Sequence, residues 1–139
     1  MISLKSSQIA SIIGGTLHGD DVVVSAPAFL SSDDCTIGSI FIAIKGERVD
    51  GHDYVKDAFA HGAVLALTSR PVSERCIVVD NVVEAMSKLA TYVRGELAAL
   101  KVVGITGTNG KTTVATLLFN LFTSLGYKCG LISTVQHHI

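Results

Sequence analysis

The sequence predicts an α/β protein on a mostly parallel sheet: a small separate N-terminal domain over residues 1–98, then a truncated P-loop domain over 99–139. Three observations lead there. Short β-branched apolar runs alternate with stretches of helical spacing, and such alternation needs the crossovers of a parallel sheet. One run, Val102-Val103-Gly104-Ile105, passes into a glycine-rich turn and then a helix. The composition, 48% apolar and 17% charged without tryptophan, is that of a globular chain and not a disordered one.

Taken in order, Ser6 to Ile13 reads as a short amphipathic helix, capped by a serine and ended by Gly14-Gly15. Leu17 and Val22-Val23-Val24 flank the turn His18-Gly19-Asp20-Asp21, which predicts a small hairpin. Ser31 to Asp34 is a polar loop. Ile40 to Ile44 is a buried strand that stops at Lys45-Gly46. Glu47 to Asp53 is a charged turn, from which His52 or Asp53 can cap a helix over Tyr54–His61. Ala63 to Leu67 and Cys76 to Val79 are further strands. Asp80 or Asn81 caps a helix to about Leu97, with Val83, Met86, Leu89, Ala90 and Val93 at helical spacing. Lys128 to Thr134 reads as the parallel strand after the P-loop helix.

The stretch Val102 to Thr113 carries the chemistry. Val102, Val103 and Ile105 suit a strand covered on both faces. Gly107 and Gly110 let the main chain approach a ligand closely. The run Val114 to Phe122 then reads as a largely buried helix. Its first amides lack intrahelical partners and its dipole places positive charge there, so a phosphate fits. Lys111 would reach the β- and γ-phosphates of ATP, and the Thr112 hydroxyl would face Mg²⁺. A Gly-Lys-Thr with a glycine three positions earlier arises by chance in roughly 0.5% of chains this long, so the motif is specific. It departs from the usual pattern at Ile105, where a glycine is common. Few residues follow Thr113, so the nucleotide domain is expected to be cut short here.

Other classes are disfavoured. A net charge of −1 gives no reason to expect nucleic acid or an anionic membrane as partner. No apolar run reaches a spanning length, and the start lacks the order of a signal peptide. Cys35, Cys76 and Cys129 are far apart and unpaired by spacing, as in a cytosolic protein with small apolar cysteines. The adjacent His137 and His138 lack a third ligand, so no metal site is expected there.

Two separated segments carry a resemblance. Gly104-x-Thr106-Gly107-Thr108-Asn109-Gly110-Lys111-Thr112-Thr113 resembles the ATP-binding motif of the Mur ligases, which extend the peptide of the UDP-linked peptidoglycan precursor. Gly38 to Gly46, followed by Asp50-Gly51-His52-Asp53 and Gly62-Ala63, is similar to their N-terminal domain, which holds the UDP end of the substrate. The opening around Gly14 to Gly19 and the Gly46-Glu47-Arg48 segment look like the ligase that adds D-alanyl-D-alanine (MurF-type). Thr108-Asn109, and the ending Gly130 to Val135 with Ile139, look more like the ligase that adds diaminopimelate or lysine as third residue (MurE-type). The latter residues lie nearer the chemistry, so the MurE-type reading is preferred. Where the family often has Asp-Ser-Arg, this chain has Ser31-Ser32-Asp33. The family's later ATP-domain residues and its C-terminal domain have no positions here.

The resemblance implies an ATP-dependent, Mg²⁺-requiring, amide-forming ligase, cytoplasmic and monomeric. ATP would phosphorylate the terminal carboxylate of the UDP-N-acetylmuramoyl peptide, and the amine of an incoming amino acid or dipeptide would displace phosphate. Thr106, Gly107, Thr108, Asn109, Gly110, Lys111, Thr112 and Thr113 would hold ATP, with Lys111 and Thr112 acting on the transferred phosphate. Ser32, Lys45, Gly46 and His52 would meet the UDP substrate. Three of these have a plainer reading: Ser32 as loop polarity, Lys45 as a solvated strand end, and His52 as turn chemistry. A binding module without turnover, or an unrelated P-loop NTPase, are the rival classes. The second would leave the Phe41 to Asp53 region unexplained.

Overall fold

The computed structural model describes residues 2–97 and 99–133 and the backbone of 137–138. It divides into two compact units, Met1–Ala98 and Ala99–Ile139. Thr134, Val135 and Ile139, part of the MurE-like ending, lie outside the described residues.

The first unit is built on a five-stranded sheet. Its strands are β2 (Thr16–His18), β4 (Ala28–Phe29), β5 (Ser39–Ile42), β6 (Ala63–Thr68) and β7 (Cys76–Val78). The order is β2-β7-β6-β5-β4, with β4, β5, β6 and β7 mutually parallel and β2 antiparallel at the edge. Side chains alternate across a strand, and here both faces are covered. Ile40 and Ile42, with Leu65, Leu67, Ile77 and Val79, pack against α1 (Ser6–Ile13) and α3 (Val82–Glu96). Phe41, Ala43, Ala66 and Cys76 face the opposite way, onto Val55 and Ala58 of α2 (Val55–Ala60). The continuous apolar runs in the sequence reflect this double covering. Full burial of side chains such as Phe41, Leu65 and Ile77 contributes about 1.5–3 kcal/mol each.

Several local expectations are corrected. The hairpin does not form: β2 pairs with β7, while β3 (Val23–Val24) pairs antiparallel with β1 (Leu4–Lys5). The turn between β2 and β3 delivers Asp21 to the start of α1. There its carboxylate accepts from the Ser6 hydroxyl, the Ser7 amide and the Ser7 hydroxyl, each at 2.9 Å. The serines therefore do not cap α1. They are bonded by an acid from outside the helix, placed where the dipole favours it, and the N-cap position is Lys5. Neither His52 nor Asp53 caps α2. Asp50 caps a 3₁₀ turn over Gly51–Tyr54, accepting from the His52 amide, and α2 starts only at Val55. In α3, capped by Asn81, the inward stripe is Val82, Ala85, Met86 and Leu89, whereas Val83 is 59% exposed. Met86 and Leu89 of the expected stripe face inward, while Val82 and Ala85 take the place expected of Val83, and Ala90 is exposed.

The second unit holds α4 (Lys111–Ser124), β8 (Leu131–Ile132) and β9 (His137–His138). The expected buried strand at 102–105 is not formed: the segment has no ladder partner among the described residues, and Val102 and Val103 are 68% and 66% exposed. Nor is α4 largely buried. None of its residues is buried, and Leu117, Leu121 and Phe122 face solvent. An apolar helix or strand becomes interior only when another layer covers it, and no such layer exists among the described residues of this unit. Likewise β8 pairs antiparallel with β9 instead of joining a parallel sheet. No described helix is long and apolar enough to cross a membrane. Cys35 and Cys76 are buried thiols, and Cys129 is half-buried.

Candidate functional site

Two clusters carry the predicted residues, one in each unit. In the second unit the chain runs without regular structure from Lys101 to Gly110 and then enters α4. Gly107 has φ +151° and Gly110 has φ +76°, the latter in the left-handed conformation at the helix N-cap. A Cβ at Gly110 would touch nothing within 4 Å, so its glycine is demanded by backbone conformation and not by crowding. The first intrahelical bond runs from Val114 N to Gly110 O at 2.9 Å. The amides of Lys111, Thr112 and Thr113 therefore have no carbonyl behind them in the helix. No acidic residue lies in the first turn of α4, unlike α2 with Asp57 and α3 with Glu84, so its positive end stays uncompensated.

Lys111 folds back over this loop. Its Nζ donates to Gly107 O at 2.6 Å and to Thr108 O at 3.5 Å. The ammonium thus sits within the glycine turn and is not directed into α4. Thr106, Gly107, Thr108, Asn109, Gly110 and Thr113 are exposed and Thr112 is half-buried, so the loop is open to a ligand. Ile105, where the common pattern has glycine, is half-buried. The arrangement joins exposed loop and helix-start amides to one cation held among them, chemistry that suits a phosphate.

Mg²⁺ can be tested against the donors present. Among the described residues no group of three His, Cys, Asp or Glu side chains could hold a metal ion. Mg²⁺ on a nucleotide needs only one or two protein oxygens, the rest coming from phosphates and water. The Thr112 hydroxyl, one residue into α4, fits that requirement.

In the first unit, the predicted substrate residues follow the C-terminal ends of adjacent parallel strands, where open α/β sheets take their ligands. Ser32 follows β4. It is 9% exposed, and its carbonyl accepts from Cys35 N at 3.2 Å. Lys45 and Gly46 follow β5. Lys45 bridges antiparallel to Asp50, Gly46 N donates to Val49 O at 2.9 Å, and Gly51 N donates to Ile44 O at 3.0 Å. A Cβ on Gly51 would lie 2.8 Å from both N and O of Ile44, so this closed loop admits only glycine at its base.

His52 joins that loop to the end of β6. Asp50 Oδ1 lies 2.5 Å from His52 Nδ1 and also accepts from the His52 amide at 3.0 Å. On the other side, Ser69 N donates to His52 Nε2 at 3.0 Å, with Ser69 Oγ at 3.1 Å. Arg70 Nη2 donates to Asp50 Oδ2 at 3.2 Å and lies 3.7 Å from Asp53. The His52 amide, then its ring N–H, and then the Arg70 charge hold the Asp50 carboxyl below the usual carboxylate range. Arg70, Pro71, Val55 and Lys56 line an adjoining open cleft of about 410 Å³. Ser69 and Arg70 were not singled out from the sequence. They lie 17 and 18 residues from His52 and carry no local motif; only their place after a predicted parallel strand could have pointed to them.

A family model described as "Mur ligase family, catalytic domain" matches residues 30–115, a span that contains every predicted site residue. The chain belongs to the Mur ligase family. Two curated Mur ligases illustrate the likeness, both named UDP-N-acetylmuramoyl-L-alanyl-D-glutamate–2,6-diaminopimelate ligase. That of Parabacteroides distasonis is 44% identical over 137 residues, which is 94% of this chain and 28% of the relative. That of Phocaeicola vulgatus is 41% identical over 119 residues, 73% of this chain and 22% of the relative. The chain therefore spans 22–28% of the length of these curated relatives. Among solved Mur ligases, MurF from Acinetobacter baumannii matches with a TM-score of 0.76 and 28% identity, covering 89% of this chain and 28% of that one. MurF from Thermotoga maritima, solved in complex with ADP, matches with a TM-score of 0.58 and 35% identity over 73% of this chain and 24% of that one. The α/β fold with its parallel-rich sheet is that of these Mur ligases.

Proposed function

We propose that this chain is the nucleotide-sugar-binding lobe and phosphate loop of a Mur ligase. That ligase adds 2,6-diaminopimelate to UDP-N-acetylmuramoyl-L-alanyl-D-glutamate at the expense of ATP. The observation that carries the chemistry is the cradle at Gly107 to Thr113, with Lys111 Nζ held inside the turn by Gly107 O. Phosphoryl transfer requires positioning and charge neutralisation more than covalent catalysis. The exposed amides hold the phosphates, Lys111 leaves its two carbonyls for the β- and γ-oxygens, and Thr112 offers a hydroxyl to Mg²⁺. Mg²⁺, when bound, offsets charge on the transferred phosphate. ADP in the T. maritima MurF structure supports the use of ATP.

The substrate side is assigned to the C-terminal edge of the first unit, with Ser32 towards the uridine and the Lys45–Gly46 loop towards the diphosphate. The choice of diaminopimelate rests on the names of relatives 41–44% identical to this chain. The D-alanyl-D-alanine reading draws on the MurF structural likeness, at 28–35% identity. The reading includes no membrane or nucleic-acid partner and takes the protein to be a cytoplasmic monomer, as the family resemblance implies.

Calorimetric titration of the chain with ADP, UDP-muramoyl dipeptide and UDP-muramoyl tripeptide tests the assignment. Binding of ADP and of the dipeptide form in preference to the tripeptide form is expected. A preference for the tripeptide overturns the MurE-type choice, and failure to bind any UDP-muramoyl ligand overturns the substrate-side assignment. ATP hydrolysis measured with and without the dipeptide separates the rival classes. Hydrolysis indifferent to the muramoyl ligand indicates another NTPase; this chain alone is expected to bind without turnover, and a bare binding module is indicated only if a protein that also carries the later ATP-domain residues fails to turn over.

A further inference from the structure

We propose that His52 is a positioning residue: as a neutral imidazole it pins the Lys45–Asp50 loop to the end of β6, so that the loop meets the UDP-muramoyl ligand in one conformation. The inference rests on the substrate-side reading above for its ligand, and on the geometry of His52 for the pin itself.

Both ring nitrogens are committed. Nε2 faces the Ser69 amide, which can only donate, so Nε2 must carry a lone pair. Nδ1 faces Asp50, whose depressed carboxyl is ionised and can only accept, so Nδ1 must carry the proton. The donor–acceptor pattern thus selects one neutral tautomer. The side chain is almost wholly enclosed, at 2% exposure, although the residue borders the adjoining cleft, and both ring nitrogens are taken by protein partners. His52 is therefore placed to act through the loop and not by contact with substrate. Lys45 bridges Asp50 across the loop, Gly46 N bonds Val49 O within it, and Gly51 N bonds Ile44 O just past β5; the imidazole fastens the Asp50 end to Ser69, which follows β6, the next parallel strand.

The same three side chains, Asp50, His52 and Ser69, also have the connectivity of a nucleophilic triad. The geometry argues against that role. In a triad the Nε2 lone pair receives the serine hydroxyl proton. Here that lone pair already takes the Ser69 main-chain N–H at 3.0 Å, closer than the hydroxyl at 3.1 Å.

The test compares the wild-type chain with His52→Asn and Ser69→Ala. Nitrogen-15 spectra of the wild-type imidazole should show Nδ1 protonated and Nε2 bare near neutral pH; the opposite tautomer overturns the proposal. His52→Asn keeps a donor near Asp50 and removes the acceptor for Ser69. It should speed hydrogen exchange of the Ser69 amide, loosen amides 46–49 in relaxation measurements, and weaken UDP-muramoyl dipeptide binding roughly tenfold. ADP binding should not change. Ser69→Ala should leave the loop and both affinities unchanged, because the main-chain N–H carries the bond. Unaltered loop amides in His52→Asn, or lost ligand binding in Ser69→Ala, would each sink the proposal. Should His52→Asn not fold, the wild-type tautomer and Ser69→Ala still decide. If the wild-type chain binds no UDP-muramoyl ligand while the loop loosens as described, the pin stands and the substrate-side reading fails.

Discussion

The two glycines that close α1 should respond to substitution for different reasons and by different amounts. Gly14 has φ +72° and takes the left-handed position at the end of the helix, yet a Cβ there would find open space within 4 Å. Gly14→Ala therefore carries only the conformational term for a non-glycine residue in that region, about 1–2 kcal/mol. Gly15 has an ordinary φ, but its Cβ would lie 2.5 Å from Ile77 Cγ2, 2.8 Å from Val79 Cγ1 and 3.0 Å from Val78 O. Those atoms belong to β7 and its extension, where Ile77 is 1% exposed and cannot move freely. The helix end must shift away from the sheet, and overpacking of this kind costs about 1–3 kcal/mol. With contacts this short we expect the upper end, about 3 kcal/mol. For a unit of this size each kcal/mol lowers the melting temperature by about 4–8 °C, so Gly15→Ala should fall by at least about 12 °C. Asparagine separates the causes. It tolerates the left-handed region, so Gly14→Asn should recover most of the loss, whereas Gly15→Asn should be worse than Gly15→Ala. Thermal melts followed by circular dichroism supply the comparison. Equal losses at the two positions, or recovery by asparagine at 15 in place of 14, would refute the reasoning.

Three further outcomes follow from the same coordinates. Lys111→Ala removes the cation held 2.6 Å from Gly107 O; calorimetry should show ADP affinity reduced about 10- to 100-fold, the worth of one charged hydrogen bond, with UDP-muramoyl binding retained, and unchanged ADP affinity would count against the cradle. Asp21 is held below the ordinary carboxylate range by the Ser7 amide first and then the Ser6 hydroxyl. Its stabilising contribution is therefore complete above the unfolded-state range and is lost as pH falls through the folded value. The melting temperature should drop more steeply below roughly pH 5 in the wild type than in Asp21→Asn, and parallel profiles would contradict this. Leu65→Ala, at a site 1% exposed between α1, α3 and the neighbouring strands, should lose about 2–5 kcal/mol in urea denaturation; a loss under about 1 kcal/mol would mean that the core collapses around the gap.

Much was legible from residues alone because its cause is local. The apolar runs at Ile40, Ala63 and Cys76 mark strands covered on two faces, and the glycine-lysine-threonine turn marks a helix start able to take phosphate. Asn81 caps α3 by a bond that spans two and three residues. What needed the folded chain was whatever depends on residues distant in sequence. The partner of Leu17 is Ile77 and not Val22 to Val24, because β7 presents an open edge on which β2 completes the sheet. Gly14 and Gly15 read alike as a helix stop, and only the approach of β7 gives the second a different necessity. His52 read as a turn residue or a substrate contact; the parallel pairing of β5 with β6 brings Ser69 to its Nε2 and makes it a link between two strand ends. The exposed apolar surface of α4 and of Val102 and Val103 marks the same boundary from the other side. An apolar pattern specifies a face to be covered, and burial itself requires the covering layer to be present.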